Sequence, residues 1–146
     1  MNVTIKPADE SHFPAIFLLI QEFALFQKTP EKVKISLSQM QQDKEYFKCI
    51  VAENSKGEIK GFASYFFAYY SWSGKALYLD DLYVREDARN KGIGIQLLNA
   101  LSEEARKERC YKMRWQVSKW NSDAIGFYRS MGAEIDETEI NCDLVL

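Results

Sequence analysis

A chain of 146 residues with 47% hydrophobic content has the size and composition of one globular domain around a single core. Its 19 basic and 21 acidic residues leave a formal charge of −2, which provides no footprint for nucleic acid or an anionic membrane. Cys49, Cys110 and Cys142 are odd in number and far apart, and there is one histidine; this suits reduced thiols in a cytoplasm better than a disulfide frame and argues against a metal site.

The opening stretch, MNVTIKPADES, has no apolar signal region, and no apolar run approaches transmembrane length. Residues 3–6 read as a short strand with Val3 and Ile5 on one face, ended by Pro7. Asp9 or Ser11 can cap a helix to about Gln27, with Phe13, Ile16, Phe17, Ile20, Phe23 and Ala24 at helical spacing. His12, in its first turn and without a visible partner, is expected at the surface rather than as a base. Thr29-Pro30 breaks the chain, and residues 36–44 form a second, shorter helix. Residues 47–53 (FKCIVAE) are a strand, joined through the hairpin turn Asn54-Ser55-Lys56-Gly57 to residues 59–70, IKGFASYFFAYY. This run is aromatic on both faces. It is either a strand buried between helices and a neighbouring sheet or one whose aromatic face meets a partner subunit. Trp72-Ser73-Gly74 then turns the chain into an interior strand over residues 77–84, LYLDDLYV, which carries Asp80 and Asp81.

After a polar linker, Arg89-Asn90-Lys91-Gly92-Ile93-Gly94 opens a helix that ends near Arg109, with Ile93, Leu97, Leu98, Leu101 and Ala105 on its inner stripe. Strand, glycine loop and helix start gather unpaired N–H groups and a positive dipole end around an anion. Gly92 and Gly94, without Cβ atoms, let a pyrophosphate approach the backbone. Leu97 occupies the third glycine position of a dinucleotide fingerprint, and the Gly-Lys-Ser/Thr of a P-loop is missing. For the loop alone, an ordinary glycine turn before a helix stays open. Residues 112–117 (KMRWQV) alternate as a strand. Asn121 caps a helix over residues 122–131 with Gly132 at its stop, and residues 133–136 and 140–146 are expected as two last strands.

The spacing Arg89-x-x-Gly92-x-Gly94, after a strand with two carboxylates, resembles the acetyl-coenzyme A loop of the GNAT superfamily of N-acetyltransferases. The element order β-α-α-β-β-β-α-β-α-β(-β), over residues 1–146 as one domain, is similar to the GNAT fold, an α/β architecture with a mixed central sheet flanked by helices. A second signature is Trp120-Asn121-x-x-Ala124-x-x-Phe127-Tyr128-x-x-x-Gly132. Asn121 and Tyr128 are two helical turns apart and share a face; either alone is equally an N-cap and a core tyrosine. The resemblance implies that the N–H groups of Asn90, Lys91, Gly92, Ile93, Gly94 and Ile95 hold the pyrophosphate, with Arg89 or Lys91 adding charge. It implies that Leu82, Tyr83 and Val84 pair with the pantetheine amides, that Asn121, Ser122, Asp123 and Ala124 hold that arm, and that Tyr128 lies beside its sulfur.

The run from Tyr69 to Val84, with Glu22-Phe23-Ala24-Leu25-Phe26 and Cys49-x-Val51-Ala52-Glu53, resembles the diamine (spermidine/spermine) and thialysine acetyltransferases. That likeness implies that Asp80, where glutamate is usual, faces the substrate amine beside Asp81, and that Phe26 and Gln27 contact the substrate. Gln27 and Tyr70 stand where the polyamine enzymes have acids, which leans away from spermidine and towards thialysine or a lysine-like amino acid. In the expected chemistry Asp80 accepts the amine proton, directly or through water, and Asp81 raises its proton affinity by repulsion. A backbone N–H near Leu82 steadies the charge on the carbonyl oxygen, and Tyr128 protonates the leaving thiolate. Cys49 and Cys110 are expected to be core or surface thiols, not nucleophiles. The family further implies acetyl-CoA as cosubstrate, no metal, a small-amine acceptor and a homodimer. Two rival readings are an acetyltransferase for protein lysines or N-termini, with Trp72 and the first two helices lining a peptide groove, and a non-catalytic acetyl-CoA-binding domain.

Overall fold

In the computed structural model, which describes residues 2–146, one sheet runs in the spatial order β1 (Val3–Pro7), β2 (Lys48–Asn54), β3 (Ile59–Tyr70), β4 (Gly74–Val84) and β5 (Lys112–Arg114). The first four strands are antiparallel, and β5 is parallel to β4. Local chemistry sets the two tight reversals. Asn54 Oδ1 accepts from the N–H groups of Lys56 and Glu58 at 3.0 and 2.9 Å, and Gly57 takes the left-handed φ of 81° that closes this turn. A parallel partner for β4 needs a crossover, which helix α3 (Ile93–Lys107) provides.

Helix α1 (Phe13–Phe26) starts after a capping box: Asp9 accepts from the Ser11 N–H, and His12 Nδ1 accepts from the Asp9 N–H at 2.9 Å. His12 was expected at the surface, yet its side chain is only 14% exposed and its Nε2 lies 3.7 Å from Glu53. The capping role draws it inward.

Phe13, Ile16 and Leu19 of α1 pack with Met40 of α2 (Leu37–Gln42, capped by Ser36) and with Cys49, Val51, Phe62 and Tyr83 of the sheet. On the other face α3 buries Ile93, Leu97, Leu98, Leu101 and Ala105. Neighbouring strand residues point to opposite faces, and a Cβ on Gly61 would meet Leu97 at 3.4 Å while Phe62 belongs to the α1 cluster. Each of the buried leucines of α3 contributes about 1.5–3 kcal/mol by leaving water. The aromatic strand β3 divides along its length: Phe62 is buried, whereas Phe66 and Tyr69 are 44% and 81% exposed.

The residues above belong to a compact unit that ends at Trp115; Gln116–Leu146 form a second. The second holds helix α4 (Ser122–Ser130), whose first-turn Ala124 N–H donates to the Asn121 side chain at 3.3 Å. It stops at Gly132, φ 92°. Two sequence expectations are corrected. β5 spans three residues, not six, because its ladder to β4 ends at the Tyr78–Arg114 pair. Residues 133–136 and 140–146 form no strand, and Ile140, Leu144 and Val145, which alternation would set on a buried face, are exposed.

Candidate active site

The site is built on β4. Its pairing with β5 stops at Tyr78, so from Leu79 to Val84, among the described residues, β3 is its one strand partner. There the register slips: Ser64 pairs with Asp81 but Tyr65 with Leu79, which leaves Asp80 as the extra residue of a β-bulge. The bulge reverses the alternation of faces. Leu77 pairs with Met113, whose sulfur accepts from Ser102 of α3 at 3.3 Å, so Leu77 and Leu79 face α3. Beyond the bulge Tyr83 joins the α1 cluster instead, and Asp81 shares its face.

The backbone is equally ordered. Arg85 donates its N–H to Lys60 O at 2.9 Å, so in this antiparallel ladder Tyr83, two residues earlier, also bonds to β3. Leu82 and Val84 then point their N–H and C=O groups to the free edge. Of the expected cofactor residues on β4, Leu82 and the N–H of Val84 offer backbone groups; Tyr83 is core, with its ring stacked on Phe23 at 5.0 Å and its phenol raised chiefly by burial and then by the charge of Glu22.

Both acids hold their protons more tightly than usual. Burial raises Asp80; burial and then the Asp80 charge raise Asp81 to about 6. The expected direction of repulsion is reversed: burial alone raises Asp80, and it is Asp81, deeper beside Ser64 and Cys49, that the neighbouring charge raises.

The glycine loop leaves β4 through a short turn over Glu86–Ala88 and reaches Asn90 and Gly92, both at left-handed φ, 62° and 79°. No side chain caps the first turn of α3, so the N–H groups of Ile93, Gly94 and Ile95 have no partner within the helix. A Cβ added at Gly94 would meet no atom within 4 Å. Nothing inside the chain requires glycine there, and the open space suits a phosphate against the helix end. Lys91 stands beside it in the loop. Arg89 turns the other way: its Nε donates to Val84 O at 3.0 Å, and its guanidinium lies 4.8 Å from the Phe26 ring and 5.3 Å from the Tyr83 ring. Loop, strand edge and the end of α1, with Phe26 and the adjoining Gln27, are thereby tied together.

In the second unit, Asn121, Ser122, Asp123 and Ala124 form the start of α4, and Tyr128 follows two turns on, with its phenol pushed above the ordinary value by burial. Sequence reasoning passed over Glu22, whose charge raises the Tyr83 phenol, and over Lys112 and Arg114, which lie 5.1 and 4.8 Å over the ring of Tyr70. The alternation Lys112-Met113-Arg114 was the available sign, since it sets both cations on one face of a strand. Among the described residues no three His, Cys, Asp or Glu are grouped to hold a metal ion, and no helix is long and apolar enough to cross a membrane.

Residues 13–133 match the acetyltransferase (GNAT) family. The thialysine N-epsilon-acetyltransferase of Bos taurus is 34% identical over 148 residues, covering 94% of this chain and 86% of that protein. The spermidine/spermine N(1)-acetyltransferase-like protein 1 of Homo sapiens is also 34% identical, over 88% of this chain but only 20% of that longer protein. Among solved structures, an integron cassette protein of V. cholerae superposes with a TM-score of 0.78 at 26% identity, covering 99% of this chain and 93% of that one.

Proposed function

The chain belongs to the acetyltransferase (GNAT) family, and we propose that it moves the acetyl group of acetyl-CoA to the primary amine of a small molecule, a diamine, a polyamine or a lysine-like amino acid such as thialysine. One observation carries this reading: two carboxylates of raised proton affinity stand at a bulge beside a strand edge with unpaired N–H groups. An alkylammonium has a pKa of about 10, so at neutral pH about one molecule in a thousand is a nucleophile. Asp80 attracts the cation and accepts its proton, directly or through water, with Asp81 beside it. Leu82 N–H, on the free edge, is the donor for the oxygen on which negative charge develops. Tyr128 supplies the proton that the departing thiolate needs.

Acetyl-CoA supplies an activated acetyl thioester. Asn90, Lys91, Gly92, Ile93, Gly94 and Ile95 hold its pyrophosphate, and the edge of Leu82 and Val84 with Asn121, Ser122, Asp123 and Ala124 holds the pantetheine arm. Phe26 and Gln27 contact the acceptor. No metal takes part in this scheme. The two units act as one domain, in the cytosol, as a homodimer in which the exposed Tyr69 end of β3 meets a second copy; sedimentation of the purified protein tests that assembly.

Equal identity to a thialysine and a polyamine-type relative does not choose between them. Gln27 and Tyr70, neutral where acids would draw a polycation, favour the smaller acceptor. The test is coenzyme A release from acetyl-CoA with spermidine, putrescine, thialysine, lysine and a lysine peptide. Thialysine or lysine is expected to lead. Preference for spermidine overturns the substrate argument, preference for the peptide supports protein acetylation, and tight acetyl-CoA binding with no turnover supports a binding domain.

A further inference from the structure

We propose that Lys112 and Arg114 bind the carboxylate of an amino-acid acceptor over the ring of Tyr70, so that the acceptor lies along Tyr78 with its side-chain amine at Asp80. This rests on the acetyl-transfer reading and narrows its substrate. Met113 faces α3 through its contact with Ser102, so Lys112 and Arg114 project from the opposite face of β5. Both cations lie over Tyr70, at 5.1 and 4.8 Å. Among the described residues neither has a carboxylate partner, whereas nearby Lys75 is paired with Glu108 at 3.0 Å. Two like charges held over one ring repel each other and are relieved by an anion. Beside them a hollow of about 250 Å³ is bordered by Tyr70, Ser71, Ser73 and Trp72, the last fully exposed.

The same sheet face leads from this hollow to the acids. Arg114 pairs in register with Tyr78, whose ring is stacked on Phe66 at 4.9 Å. Burial chiefly pushes the Tyr78 phenol up, the Asp80 charge adds to it, and Arg114 pulls it down. Tyr78 therefore stands between the acidic and the basic ends. Two residues of strand, about 7 Å, separate the level of Arg114 from Asp80. An extended lysine-like side chain spans a similar length, about 7 Å across six bonds of ~1.5 Å between carboxylate carbon and terminal nitrogen. A polyamine would instead bring a second cation to the two basic residues, and like charges there oppose its binding.

The test is calorimetric binding of thialysine and of thialysine amide, which lacks the anionic carboxylate, to the wild-type chain and to Lys112→Met, Arg114→Met and the double variant. Circular dichroism confirms that each variant is folded; Lys112→Gln and Arg114→Gln are alternatives if a methionine variant is not. Wild type is expected to prefer the acid by about tenfold, and the double variant to lose that preference. Equal binding of acid and amide by wild type, or a preference that survives in the folded double variant, overturns the proposal. Turnover of small amines without any carboxylate preference removes this inference and leaves acetyl transfer standing. A carboxylate preference in binding that Lys112 and Arg114 control, with no turnover of any amine, supports the anion site and removes the transfer reading.

Discussion

The backbone N–H of Asp81 donates to the hydroxyl of Ser64 at 3.2 Å, across the bulge at which Asp80 has no partner on β3. Ser64 is one of the few buried polar residues of the sheet, and this bond holds the second carboxylate inward while the first is pushed out of register. A single inserted residue thus separates the two acids by environment. Such a division sets apart proton affinities that the same residue type has in common in water.

The acid pair predicts a pH profile. With Asp81 raised to about 6 and Asp80 raised by burial, kcat/KM for the amine should climb as pH passes through about 6. Asp81→Asn removes the group that is raised to about 6, so the acidic limb should move to lower pH. Initial rates between pH 5 and 8 decide this; superimposable profiles would detach Asp81 from the active pair.

Stability should follow the same titration with the opposite sign from a salt-bridged acid. The native Asp81 carboxyl keeps its proton to about 6, while the unfolded chain loses it near 3.8. The native state therefore binds more protons in that window, and its stability falls as pH rises from about 4 to 6 and stays lower above it. Asp81→Asn carries no such cost. Its advantage over wild type should widen by ~1–3 kcal/mol between pH 4 and pH 8. Urea unfolding at the two pH values measures it, and a constant gap would contradict the burial of this carboxyl.

What was legible in the sequence was what local chemistry dictates. Asn54 and Gly57 bracket β3 on one side and Gly74 on the other, so its span of Ile59–Tyr70 was read to the residue. The glycine loop and the Asn121 cap were equally local. The bulge was not, because nothing in Leu79-Asp80-Asp81 marks which residue β3 will skip. Nor could the text of the chain place Arg89 on Phe26 and Tyr83, or Lys112 and Arg114 over Tyr70, since each pairing is made by sheet register and helix docking. The two last strands failed for the same reason: alternation supplies a face, but only a neighbour supplies a ladder.

The two loop glycines should separate folding from binding. Gly92 has φ 79°, so Gly92→Ala is expected to cost ~1–2 kcal/mol of stability through the left-handed backbone alone. Gly94 has helical geometry and open space above it, so Gly94→Ala should leave stability unchanged or raise it by ~0.5–1 kcal/mol. The added methyl stands where the phosphates approach, and coenzyme A affinity is expected to fall by about tenfold or more. Calorimetric titration beside thermal unfolding checks both; undiminished affinity would remove the helix end from the cofactor site.

Direct transfer needs no cysteine nucleophile, and the thiols agree with that chemistry. Burial pushes Cys49 up to about 12, whereas Cys142 is exposed. A chromogenic disulfide reagent should label Cys142 rapidly and Cys49 only on unfolding, because the thiolate is the reactive form. Cys49→Ala should lower stability by about 1 kcal/mol through lost packing and leave kcat within about twofold. A large loss of kcat in a folded Cys49→Ala protein would reopen a covalent route.

Tyr128 is the sharpest test of the proposed chemistry. Burial holds its phenol above the ordinary value, so it keeps its proton at neutral pH and has one to donate as negative charge develops on the departing sulfur. Phenylalanine preserves the ring that packs 5.6 Å from Phe127 and removes only the hydroxyl. Tyr128→Phe should therefore lower kcat by ~10²–10³-fold while acetyl-CoA affinity changes by less than about threefold. Loss of affinity with kcat preserved would make Tyr128 a binding residue. An unchanged kcat would assign the proton to another donor, because a residue that acts only in the chemical step must show its absence there.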